Sequence, residues 1–126
     1  MSKLYICVSD TFPDYMTPTL VAHAVLGYHC QIEEDSLSDL DHPFAVEYRD
    51  WLYNSFKKVV VRVNQKEYDK IKTLKGFYIK EFRENKTNNG ELSCCVLLVH
   101  DSVEVPNVLK FAKLWKPLEN KGQNVT

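Results

Sequence analysis

The sequence predicts an α/β fold: a single four-stranded mixed sheet with helices on both faces. Three observations carry this. Apolar strand-like runs alternate with helical segments in the order β-α-α-β-α-β-β-α, the signature of strand–helix–strand units with parallel pairing. A short polar link, Asn85 to Gly90, joins the last two strands and favours an antiparallel hairpin between them. The length of 126 residues, at 44% hydrophobic and 26% charged, suits one domain with a real core. That domain is expected over residues 1–116, followed by a frayed tail over 117–126.

The elements follow in order. Leu4 to Val8 reads as a short apolar strand, followed by the loop Asp10-Thr-Phe-Pro-Asp14. Thr17-Pro18 is a helix start, with a hydroxyl N-cap and proline at the first helical position. This helix is expected to reach about Gln31 and, being apolar on nearly every side, to be buried. Gly27 within it costs about 1 kcal/mol relative to alanine and suggests close approach of a neighbouring element. Glu33 to Asp41 is acidic and aperiodic and reads as a loop. Pro43 to Phe56 is a second helix. Val59-Val60-Val61 is a β-branched run expected at the centre of a sheet. Asn64 with Glu67 resembles a capping box that opens a helix to about Leu74. Phe77 to Phe82 and Leu92 to His100 are the hairpin strands, and Pro106 to about Lys116 is a last helix. Tyr5, Trp51, Phe56 and Trp115 are expected in the core.

No apolar run approaches the roughly 18–20 residues that span a bilayer. The N-terminus lacks a long apolar segment behind a basic start, so a cytoplasmic protein with no membrane role is expected. Cys7, Cys30, Cys94 and Cys95 form no C-x-x-C pair. Cys94 and Cys95 are adjacent in a strand and point to opposite faces, so the four are read as reduced apolar residues with no metal site.

The net charge of −1 is unevenly distributed. Residues 33–50 hold seven acids against Arg49, a net of −6. Residues 57–86 hold ten bases against four acids, a net of +6, which could offer a basic face to a phosphate backbone. Lys58, Arg62, Arg83 and Lys86 are its substrate-binding candidates. Asp10, at the end of a strand, stands where parallel sheets place their sites. His23 lies on the first helix, either as a core histidine, with Asp10 a potential partner, or as a site residue. His100 closes the last strand and reads as a surface residue.

Three stretches together resemble the type 2 peptidyl-tRNA hydrolases. They are His23-Ala-Val-Leu-Gly27 on the first helix, Trp51 followed by Lys58-Val-Val-Val-Arg-Val-Asn64, and Glu84-Asn-Lys-Thr87 before Cys95-Val-Leu-Leu-Val99. Their order and spacing carry the resemblance, which covers the chain to about Lys116. It implies hydrolysis of the ester joining a peptide to tRNA, with no metal or organic cofactor, tRNA as partner and pairing into a homodimer. It also implies a site built from the loop after the first strand, the first helix and the hairpin loop. Asp10, His23, Glu84 and Thr87 are the catalytic candidates: an acid orients water or accepts its proton, and the threonine holds a substrate carbonyl. Lys86 stands for the family's arginine. Met16 and Leu20 stand where the family carries lysine and glutamine, and the loop before the helix holds aspartates instead of bases. The alternative is a catalytically inactive binding module on the same scaffold, contacting RNA or a protein.

Overall fold

A computed structural model describes residues 1–36, 42–84 and 91–116. Its order is β1 (Ser2–Ser9), α1 (Thr17–Asp35), α2 (Pro43–Asp50), β2 (Lys57–Val63), α3 (Gln65–Lys72), β3 (Ile79–Arg83), β4 (Leu92–His100), α4 (Asn107–Lys110) and β5 (Lys113–Leu114). The strands form one mixed sheet in the order β3-β4-β1-β2-β5. β1 runs parallel to β2, with Ser9 opposite Val63, and antiparallel to β4, with Cys7 opposite Cys95. β3 and β4 form the expected antiparallel pair, with a register shift at Phe82/Arg83.

Strand alternation divides the core into two layers. Leu4, Ile6, Val8, Cys94, Val96 and Leu98 face α1 and α2, which contribute Leu20, Ala24, Tyr28, Ile32 and Tyr48, and Trp51 just beyond α2. Tyr5, Cys7, Val61, Val63, Cys95 and Leu97 face Tyr68 and Ile71 of α3 and Leu109 of α4. Helices therefore cover both faces. Cys94 and Cys95 point to opposite layers, and burial pushes the Cys94 thiol up to about 12, so it stays protonated. Cys30 is exposed, unlike the other three cysteines.

Several expectations are corrected. The sheet has five strands because the expected last helix stops at Lys110. Its helical spacing yields to the open edge of β2, where Lys113 and Leu114 pair with Arg62 and Val61 and the Trp115 N–H donates to the Val60 carbonyl at 2.9 Å. The central strand is β1, and the valine run of β2 lies one strand further out. Helix α1 continues to Asp35, beyond the expected end. There Tyr78 donates a hydrogen bond to the Asp35 carboxylate and Lys80 Nζ lies 3.6 Å from it. These contacts lower the Asp35 pKa, the Tyr78 bond most. Thr17 does not cap α1: a 3₁₀ turn over Asp14–Met16 runs into it, and the Thr17 hydroxyl is buried without a hydrogen-bond partner among the described residues. Nor is α1 buried all round. Ala22, His23, Leu26 and Cys30 are exposed because only one side of the helix meets the sheet. The expected second helix changes at Trp51 into a wider π-helical turn over Trp51–Ser55. It ends at Phe56 in the left-handed region, with the ring 52% exposed instead of in the core. Asn64 does make the expected capping box with Glu67. The last-hairpin link and the tail over 117–126 lie outside the described residues.

Gly27 shows the close approach its position suggested. A Cβ there would lie 2.5 Å from the Phe82 ring. Gly27→Ala should therefore fail to gain the roughly 1 kcal/mol that helix propensity offers, but should gain it in a Phe82→Ala background. Urea melts of the four proteins in this cycle check the coupling, and additivity would exclude the contact.

Tyr28 donates to the Tyr78 carbonyl at 2.7 Å and Tyr68 to the Cys94 carbonyl at 3.3 Å, and burial raises both phenol pKa values well above that of free tyrosine. Neutral phenols in the fold mean that this stability is complete below about pH 10 and declines as pH rises further, because only the unfolded chain ionises. Alkaline titration by tyrosinate absorbance and far-UV circular dichroism should show these two phenols ionising together with unfolding. Ionisation before any loss of helix signal would contradict this.

Candidate functional site

The topology gathers the carboxyl ends of β1, β2 and β3 and the start of β4 at one end of the sheet. Open crevices at such strand ends are where α/β sheets bind ligands. Asp10 follows β1 here, exposed, with its N–H donating to the Val63 carbonyl at 2.8 Å. Beside it, Ser9 and Thr11 share a hydroxyl–hydroxyl hydrogen bond of 2.8 Å.

α1 runs antiparallel to β3. Tyr28 reaches Tyr78 near the start of β3, while His23 and Gly27 meet Phe82 near its end. The N-terminal half of α1 therefore faces the mouth of the hairpin. His23 is exposed, its ring edge-on to Phe82 at 6.3 Å between centroids. That rules out the core-histidine reading. Glu84, two residues beyond Phe82, is half-buried, and its N–H closes the hairpin on the Glu91 carbonyl at 3.1 Å. Thr87 and Lys86 lie outside the described residues.

The basic segment 57–86 does not make one face. Its strands β2 and β3 are separated by β4 and β1, about 14 Å at ordinary strand spacing. Lys58 lies about 13 Å along β2 from Arg62, towards the opposite end of the sheet. There it donates to the Phe56 carbonyl at 2.7 Å and covers the Phe56 ring. Partial burial lowers its pKa. Arg83 is exposed at the hairpin end of β3. Of the bases on α3, Lys72 pairs with Asp69 at 3.5 Å.

Arg62 sits at the site end but holds the fold together. Its Nη1 donates to Asp14 Oδ1 at 2.9 Å, and its Nη2 donates to the carbonyls of Asp10 and Phe12, each at 3.3 Å. Trp115 Nε1 donates to the same Asp14 oxygen at 2.8 Å. Asp14 thus ties the β1–α1 loop to β2 and to the C-terminal segment. It also forms part of the wall of a cleft of about 630 Å³ whose other walls include Asp10, Glu67, Phe111, Lys113 and Trp115. Sequence reasoning missed both Asp14 and this cleft. The available signal was the run Lys110-Phe-Ala-Lys-Leu-Trp-Lys116, with a lysine at every third position between apolar residues. A helical reading gave it an apolar core role.

Among the described residues no three His, Cys, Asp or Glu side chains converge as a metal site, and no helix is long and apolar enough to cross a membrane.

The Asp14 side chain is 13% exposed and that of Arg62 30%. Removing the carboxylate leaves a partly buried guanidinium and an indole N–H without their acceptor. Asp14→Ala should cost about 2–4 kcal/mol by urea denaturation. Asp14→Asn, which keeps an oxygen for Trp115, should cost less. Equal losses would show that charge alone carries the contact.

The chain matches no protein-family model and no curated protein.

Proposed function

We infer that the protein is a carboxylic ester hydrolase of the peptidyl-tRNA hydrolase type, acting in the cytoplasm as a homodimer. One observation carries the reading. The N-terminal half of α1, with His23, packs through Phe82 against the hairpin end of β3, with Glu84, at the same end of the sheet as Asp10. These are the three segments from which the family resemblance builds its site. In this reading Glu84 accepts a proton from the attacking water, His23 and Asp10 border the substrate, and Thr87, by the family resemblance alone, holds the ester carbonyl. Arg83, exposed at the end of β3, meets the tRNA phosphates, and Lys86 is assigned the same role by the family resemblance alone.

A second reading, a binding module that has lost the chemistry, is favoured by the placement of the cations. Arg62 is engaged by Asp14, Lys58 lies towards the other end of the sheet, and Met16 and Leu20 stand in place of the family's lysine and glutamine.

Release of the acyl group from an N-acetylaminoacyl-tRNA by purified protein separates the two. The hydrolase reading expects turnover above the protein-free rate, reduced about 100-fold or more in Glu84→Gln and in Thr87→Ala. Wild type indistinguishable from the protein-free control would leave the binding module.

A further inference from the structure

The C-terminal segment after α4 has the make-up of a nucleic-acid contact. Phe111, which follows the last residue of α4, is 74% exposed; Tyr15, Tyr53 and Phe56 are exposed elsewhere, but Phe111 alone of these four is flanked by the lysines of the C-terminal segment. Lys110 Nζ lies 5.7 Å from the centre of that ring. Lys113 and Lys116 follow at three-residue spacing, both exposed. Among the described residues no carboxylate lies in ion-pair range of Lys110, Lys113 or Lys116. Leu114, 59% exposed, adds apolar surface to the same patch.

The segment is held firmly. Lys113 and Leu114 are paired to β2, and the Trp115 indole is fixed on Asp14. Phe111 and Lys113 form part of the rim of the 630 Å³ cleft. The same cleft is also lined by the acidic Asp10 and Glu67, whereas its third carboxylate, Asp14, is already matched by Arg62. A polyanion would therefore lie along the lysines and away from Asp10 and Glu67.

The geometry points to a single-stranded RNA contact on this strip: a base stacks on Phe111 over the cleft, and the flanking phosphates meet Lys110, Lys113 and Lys116. An exposed aromatic beside lysines that are unpaired among the described residues, on a backbone paired to β2, supplies the stacking platform and cationic track that single strands require. An acidic peptide would satisfy the lysines but leave the ring without a stacking partner. The choice of RNA rests on the reading above. The contact is separate from the hairpin and needs no chemistry there.

Fluorescence anisotropy of a labelled oligoadenylate, which carries no acyl ester, tests the contact apart from hydrolysis. Wild type should bind saturably at low salt. Phe111→Ala should weaken binding about tenfold or more while melting at the wild-type temperature, because the ring is exposed. Lys113→Gln with Lys116→Gln should reduce the slope of log affinity against log salt by about 1.4. An abasic strand of equal length should bind as weakly to wild type as the oligoadenylate does to Phe111→Ala. No saturable wild-type binding, unchanged affinity in Phe111→Ala, or equal affinity for the abasic strand would each overturn the assignment. So would displacement by polyglutamate as efficient, charge for charge, as by RNA. Failure of the hydrolysis assay alone would leave the strip in place.

Discussion

The carboxylate of Asp14 is the constraint on which the site end of the molecule depends. It accepts from the Arg62 guanidinium and the Trp115 indole on one oxygen, while the same guanidinium also ties down the carbonyls of Asp10 and Phe12. Three parts of the chain far apart in sequence thereby become one surface: the β1–α1 loop, β2 and the C-terminal segment. Charge-assisted hydrogen bonds of this kind act over short range and in fixed geometry. The two-residue strand β5 could not hold the C-terminal segment on two backbone positions alone. It is secured by pairing at Val61 and Arg62, by Trp115 N–H on Val60, and by the indole on Asp14.

The same economy of contacts explains α1. Leu20, Ala24, Tyr28 and Ile32 recur every four residues and bury one stripe against β1 and β4. Gly27 lets the Phe82 ring of β3 come within van der Waals distance of the helix backbone. The opposite side, with Ala22, Leu26 and Cys30, is exposed. A helix apolar on nearly every side predicts burial, yet composition does not say how many sides have a neighbour. His23 lies on the border between the two sides, which is why it is neither a core residue nor remote from the hairpin.

Much of the fold was legible because local and global preferences agree. The apolar runs Leu4 to Val8 and Leu92 to His100 form the strands their sequences predict, and Asn64 with Glu67 makes the capping box its sequence describes. The misreadings share one cause, tertiary contact overriding local pattern. Val108, Leu109, Phe111, Ala112, Leu114 and Trp115 fit a helical period, but an unpaired edge of β2 offered backbone hydrogen bonds that the chain took instead. The acidic run from Glu33 predicts a loop, but Tyr78 and Lys80 hold Asp35 at the end of α1. The candidate site was legible only in part. Asp10, His23 and Glu84 come to one end of the sheet. The basic segment, continuous in sequence, is divided by two intervening strands that no count of charges reveals. Asp14 has no motif, because its role exists only once Arg62 and Trp115 are beside it.

Sheet order also limits what a ligand of this surface can be. The hairpin at the end of β3 and the lysine-bearing segment at β5 lie at opposite borders, four strand spacings or about 19 Å apart. No compact substrate touches both. Between them lie Asp10, exposed and anionic, and Asp14, already matched by Arg62. A ligand that engages both borders must be extended, with its negative charge at the ends of the path and a neutral or hydrogen-bonding portion over the aspartates. A polynucleotide whose bases turn towards the sheet while its phosphates stay outward meets that condition, and a uniformly charged rod such as an RNA duplex does not.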